Sequence, residues 1–435
     1  MNIDEALNVK VGMEALHGVE SALKPSPSAS ARLPVRRASA RPSRLGWLDA
    51  LRGIAALVVV FDHSSYAFLA EFRRELMPEF NTSRYGIMVF FLVSGYIIPA
   101  SLERQGCVRT FWVGRIFRIY PLWAVVVTAV LVANLLGVAT IRDFDGESVA
   151  AAAVAHLTLC QELLGTPNLL LVLWTLSYEM AFYLLVVALF SLRLHQKSAA
   201  VASALGVLAA VSVIVLSALP VSALSEAIGS NLLTAVTAFA MVVAICCASS
   251  TSVAPRLGGA VLGGLLALVL VTFNSTVPAW EGLVILAVMF LGTAVYRAEH
   301  GQSSWKSVAC TATVVVACAV GAAYHYGDGS HFTRRGWITA LLLAVLTFGA
   351  GLAVRRRVLP HWLTWLGTIS YSVYLVHPVL LAVTDGTIGR WGQDAPLLEL
   401  AFCAVLLPLS WLTYRYIEAP GQACGRRVTR RIQRK

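Results

Sequence analysis

Arg52 and His63 stand eleven residues apart in the segment WLDALRGIAALVVVFDH, residues 47–63. On a helix advancing ~100° per residue, that separation is three turns plus about 20°, so both side chains share one face. The rise between them is roughly 16 Å, about half the hydrocarbon thickness of a bilayer. An imidazole can take and return a proton near neutral pH, and a guanidinium grips phosphate or carboxylate oxygens. Asp49 lies one turn before Arg52 and reads as its local partner. The alternative is plainer: Asp49 and Arg52 snorkel at an interface, and His63 marks the other one.

Other candidates lie further along. Arg115 and Arg118 are three apart, hence neighbours on a helix surface. They read either as a phosphate site or as a charge anchor at a membrane surface. Glu179 falls well inside an apolar run (LWTLSYEMAFYLL), where a carboxylate is costly unless paired or protonated. Its expected partner is Arg52, His63, or a nearby Tyr or Ser. Ser94, Gly95 and Tyr96 interrupt a second apolar run, which on its own reads as a small-residue packing site. Ser370, Tyr371, Tyr374 and His377 share a late apolar segment, with Pro378 marking a candidate kink. Tyr rings at such spacing also serve core packing.

The elements that must position these groups are membrane helices. Of the 435 residues, 58% are hydrophobic and 13% charged, against about 25% charged in soluble domains. About twelve segments reach the length a span needs, and ten would preserve the same end assignments. They cover 46–69, 85–102, 112–137, 169–191, 199–220, 231–249, 256–273, 281–297, 305–325, 335–354, 363–383 and 396–416. A shorter apolar stretch, 148–164, reads as re-entrant or interfacial. The expected fold is all-α, a polytopic transmembrane helix bundle.

Charge sets the orientation. With both termini cytoplasmic, the inner loops collect Arg104, Arg109, Arg115, Arg118, Arg193, Lys197, Arg256, Arg297, Lys306 and the Arg355–Arg357 run. The outer loops hold Arg73, Arg74, Arg84, Arg142, Arg334, Arg335 and Arg390, together with most loop acids, among them Asp143, Asp145 and Glu147. The net charge of +11 therefore reads as topology, not as nucleic-acid binding. Residues 1–44 are expected to be a disordered, basic cytoplasmic tail without a cleavable signal, 45–422 the membrane domain, and 423–435 a second basic tail. Arg415 and Glu418 read as an interfacial structural pair. The eight cysteines form no C-x-x-C pair, so neither a disulfide framework nor a metal site is expected.

The segment LDALRGIAALVVVFDH resembles the opening signature of the membrane acyltransferase-3 family, in which an arginine is followed after ten residues by a histidine. Arg52 and His63 fit that spacing. The Arg115–Arg118 pair, the run Trp174–Glu179, the stretch around Tyr96 and the closing Tyr414–Pro420 are similar to further family motifs. The likeness covers most of 46–422 and is weak between 199 and 300.

The resemblance implies O-acyl transfer, the donor substrate being acyl-CoA (acetyl or another short acyl group) and no cofactor being bound. His63, Arg52 and Glu179 would be catalytic. Arg115, Arg118 and Arg52 would hold the donor. Tyr96, Trp174, Ser177, Tyr374 and His377 would contact substrate. The acceptor would be a hydroxyl of a carbohydrate or cell-surface glycan, or of a secreted natural product such as a macrolide, modified at a bacterial inner membrane. The chain is expected to finish its reaction within the membrane unit or with a partner, since no soluble domain is left over. A transporter or flippase would also place charges at midplane, but it calls for two matching halves, and no internal repeat is visible. A scaffold or sensor would not need the Arg–His stripe.

Overall fold

The computed structural model describes residues 45–140, 148–217, 219–329 and 332–434. The expected tail 1–44, the acidic-loop residues Arg142, Asp143, Asp145 and Glu147, and Lys435 lie outside them. Among the described residues there is no β-strand beyond a single bridge between Gly329 and Phe332. The helices are α1 (Gly46–Phe68), α2 (Ala70–Leu76), α3 (Thr82–Gln105), α4 (Val108–Leu135), α5 (Val149–Leu157), α6 (Trp174–Ser191), α7 (Ser198–Val215) and α8 (Ala223–Ile228). There follow α9 (Ser230–Ala248), α10 (Val253–Phe273), α11 (Ala279–Glu299), α12 (Trp305–Tyr326), α13 (Arg334–Ala353), α14 (His361–Thr387), α15 (Pro396–Thr413) and α16 (Ala419–Gln433).

Among the described residues, eleven helices are long and apolar enough to cross a membrane. Helix α1 is not among them, because Asp49, Arg52, Asp62 and His63 lower its hydropathy. Yet it is 23 residues long and packs against α3 and α14 inside the bundle. It is affordable there because its polar groups meet protein instead of lipid. Each of the expected spans coincides with one helix. The ends of the helices alternate, as tertiary contacts confirm. At the end holding Gly46, called the lower end below, Arg297 bonds Glu103 and Arg355 bonds Glu299. At the opposite, upper end, Arg84 bonds Glu281 and the Asn81 N–H donates to the Gly336 carbonyl.

Burial sorts the helices into two rings. Helices α6 and α11 are buried almost throughout, whereas α4, α9, α12 and α13 bury about one face in three. On α9 the outward stripe is Leu232, Val236, Phe239 and Val242, spaced for one helical face. Glycine sets how closely the inner helices approach. A Cβ at Gly367 on α14 would overlap the Asp49 carbonyl of α1, and one at Gly53 on α1 would meet Gly367 in return. Gly95 on α3 and Gly292 on α11 stand in the same reciprocal relation, facing the Met289 and Leu92 carbonyls. The first crossing brings the helices carrying Arg52 and His377 to backbone contact, and Gly86 on α3, facing the Ala55 carbonyl, brings the helix carrying Ser94 against α1.

The apolar stretch 148–164 forms α5 and a 3₁₀ turn, Gln161–Leu164, instead of a span. The chain is pinned to the top of α6 by its polar residues. Gln161 Nε2 donates to the Leu173 carbonyl (2.9 Å), Glu162 accepts from Asn168 (2.9 Å) and from Thr276, and the Glu162 N–H donates to Ser177 Oγ (3.3 Å). At the lower end, α15 passes through one π turn, Tyr414–Glu418, into α16. Helix α16 runs through 422 and 423 without a break and rests on α4, with Gly421 and Gly425 against Pro121 and Phe117.

Candidate active site

His63, in the last two turns of α1, meets His377 of α14: His63 Nδ1 lies 2.9 Å from His377 Nε2. The rings are stacked at 5.2 Å. His377 is fully buried, and its Nδ1 lies 3.0 Å from the Val373 carbonyl. A carbonyl oxygen can only accept, so Nδ1 of His377 carries the proton and its Nε2 has a lone pair. The Nδ1–H of His63 then donates to that lone pair, which leaves His63 Nε2 unprotonated. The chain of bonds from Val373 through His377 therefore selects one tautomer of His63.

Beside it stands Asp62, a buried carboxylate that the helical-face argument passed over. Its Oδ1 accepts from Arg73 Nη1 (2.9 Å) and Thr82 Oγ1 (2.6 Å). Its Oδ2 lies 3.9 Å from His63 Nε2. That distance is too long for a hydrogen bond. His63 opens into a cavity of about 780 Å³ at the upper end. One wall is apolar, from Leu169, Leu170, Leu171 and Leu381; the rim is the Asp385–Arg390 ion pair (2.7 Å). The 3₁₀ turn and the polar ties described above hold the Leu169–Leu171 wall in place.

Arg52 lies in a second, narrower cavity of about 80 Å³. Arg118, Glu179, Ser94, Tyr371 and Tyr374 line it too. Arg52 is 3.9 Å from Asp49 and also interacts electrostatically with Arg118, Glu179 and Glu418. Glu179 accepts from the Tyr183 hydroxyl (2.5 Å). Between the two cavities stands Tyr374. Its ring packs edge-on to His377 at 6.0 Å, and its hydroxyl is fixed by Thr175 Oγ1 (2.8 Å).

The structure thus brings together Arg52, Arg118, Glu179 and Tyr374 on one side, and His63 with His377 on the other. Glu179 faces the arginines and not His63. Arg115 packs against the Phe111 and Tyr183 rings. Trp174 lies under Arg84 at 5.0 Å, and the buried Ser177 braces the Glu162 loop. Tyr96 sits near the lower end, packed on Trp47 and Tyr296 and bonded to Glu299. None of Tyr96, Arg115, Trp174 and Ser177 lines either cavity. Glu418 is not an interfacial partner of Arg415, as the sequence suggested. Arg415 is exposed, whereas the π turn directs Glu418 inward, where Ser372 (2.9 Å) and Gln422 (3.0 Å) donate to it.

A helix bundle with an ionisable dyad and an arginine–carboxylate cavity in its interior defines a polytopic membrane protein with an intramembrane site. An acyltransferase-domain model matches residues 45–415, and the chain belongs to the membrane acyltransferase-3 family. The acyltransferase MdmB of Streptomyces mycarofaciens is 33% identical over 153 residues, a stretch covering 33% of this chain and 38% of that relative. No solved structure matches the chain.

Proposed function

We propose that the protein is an integral membrane O-acyltransferase that moves a short acyl group from acyl-CoA to a hydroxyl of a carbohydrate. The observation that supports this best is the tautomer of His63: its ring lines a cavity large enough for an acceptor, and its Nε2 is left free to take a proton. In this reading the acceptor hydroxyl gives its proton to His63 Nε2 as its oxygen attacks the thioester carbonyl. Asp62 stabilises the imidazolium. Collapse of the tetrahedral adduct breaks the C–S bond, and the proton on His63 returns to the departing thiolate. Arg52 and Arg118 hold anionic groups of the donor, with Glu179 and Glu418 as their counter-charges. No serine or cysteine nucleophile is needed, so the transfer is direct.

In this reading both termini face the cytoplasm of a bacterium, the donor enters from the lower end, and the acceptor from the upper. The apolar Leu169–Leu171 wall beside the Asp385–Arg390 rim suits an amphipathic acceptor. That favours a glycosylated secreted product, such as a macrolide, over a fully hydrated surface glycan. Mass spectrometry of surface glycans and secreted metabolites, with and without the gene, tests the proposal. An acyl mass increment present only with the gene is expected; no difference in either pool overturns it.

A further inference from the structure

A third cavity, of about 640 Å³, opens at the lower end between the start of α4, the end of α6 and the α9–α10 turn. Three arginines line it: Arg109 from α4, Arg193 from the turn after α6, and Arg256 from the first turn of α10. No Asp or Glu lines it. Several other arginines near the helix ends have carboxylate partners, as in Arg297–Glu103, Arg334–Asp328, Arg335–Glu79, Arg355–Glu299 and Arg390–Asp385. The guanidinium groups of Arg109, Arg193 and Arg256 have no carboxylate within reach among the described residues. His195 lines the same cavity, and its Nδ1 is buried without a hydrogen-bond partner; the hydroxyl of Ser191 is in the same condition. Arg193 is held at φ +58°, a backbone region unfavourable for a residue with a side chain.

Three like charges converging on one cavity repel each other, and unsatisfied polar atoms at its wall add to the cost. A multiply charged oxyanion relieves the repulsion, since each guanidinium offers a planar fork to phosphate oxygens. We infer that this cavity is a binding site for a phosphorylated ligand carrying at least two negative charges. It is separate from the Arg52–Arg118 cavity, with which it shares no lining residue. The phosphate can belong to a soluble ligand or to the headgroup of an anionic lipid, and the chemistry of recognition is the same.

The test uses the full chain in nanodiscs of phosphatidylcholine alone, with inorganic pyrophosphate as the probe in calorimetric titration. Saturable one-to-one binding is expected, weakened at least tenfold in Arg193→Ala/Arg256→Ala. The charge-matched control Arg426→Ala/Arg427→Ala, on the exposed side of α16, is expected to bind as the wild type does. Native mass spectrometry of protein taken from membranes containing cardiolipin, a lipid with two phosphates, forms the second arm. One bound lipid per chain, lost in the Arg193/Arg256 variant, assigns the site to a lipid headgroup. Absence of both ligands from the wild type overturns the inference, and so does equal weakening by the two double variants. Neither arm requires acyl transfer, so failure of the proposed activity leaves the result readable.

Discussion

Replacing His377 tests the tautomer argument directly. His63 keeps its proton on Nδ1 because His377 Nε2 accepts it at 2.9 Å, deep in the bundle. In His377→Ala that acceptor is gone. A buried N–H left without a partner costs about 1–3 kcal/mol, so the competent tautomer loses roughly 5- to 150-fold in population against the one with the proton on Nε2. Since only the former presents a lone pair to the acceptor cavity, acyl transfer should fall by about 10- to 100-fold, inside the ~10²–10⁴ that a general base contributes in all. His377→Gln retains an acceptor oxygen at a similar reach, and should lose less than about tenfold. The assay is the acyl increment on the identified product, measured in cells complemented with each variant at matched membrane levels. Retention of wild-type activity by correctly inserted His377→Ala would refute the reasoning, as would equal losses in the alanine and glutamine variants.

Four further outcomes are expected. His63→Ala removes the base itself and should cost at least as much activity as any His377 variant, with little change in thermal stability because the ring borders an open cavity. Asp62→Asn leaves the buried Arg73 without its counter-charge, so the unfolding midpoint in detergent should drop by the equivalent of about 3–5 kcal/mol; an unchanged midpoint would show that Ser65, Tyr66 and the Asp62 carbonyl hold Arg73 unaided. Gly367→Ala forces a methyl into the Asp49 carbonyl of α1 and should destabilise by about 1–3 kcal/mol or more, read as loss of monodisperse protein on size exclusion, whereas Gly392→Ala, with open space around it, should behave as wild type. Burial raises the Glu162 carboxyl above its ordinary value of 4.5, so its ionised form opposes folding at high pH. Glu162→Gln should therefore unfold at a higher temperature than wild type at pH 8, and the advantage should shrink as pH falls toward 4.5, where the wild-type carboxyl is already protonated; an advantage that grew on acidification would contradict this sign.

The helical arithmetic for α1 was sufficient to place Arg52 and His63 on one wall, because period and rise are fixed by the backbone alone. It could not show that the same rise carries them into different cavities, since Tyr374, the residue between the cavities, comes from a helix more than 300 positions later. His377 was visible as a candidate, but its role depends on which nitrogen faces the Val373 carbonyl, a matter of ring orientation that spacing does not encode. Asp62 illustrates a different gap. It adjoins His63 in sequence, so on a helix it points about 100° away, and a search along one face discards it. Only the fold of α2 back over α1, which delivers Arg73 to Asp62, makes it part of the site. The span count was legible for the converse reason: hydrophobic length is a local property that a lipid surround enforces helix by helix.

Helix α1 connects the fold to the chemistry. It carries Asp49, Arg52, Asp62 and His63 into the bundle, packed against α3 and α14, with glycine crossings that allow the close approach. Its polar groups find partners on several elements: Thr82 of α3 and Arg73 of α2 for Asp62, His377 of α14 for His63, and Glu399 of α15 for Ser64 at 2.5 Å, while Asp49 meets Arg52 within α1 itself. A helix partnered on so many sides is held to one rotation and one depth, because any turn about its axis would strand Asp62, His63 and Ser64 at once. For a base that must meet a hydroxyl within hydrogen-bond reach, such over-determination is what fixes His63 Nε2 at the cavity wall.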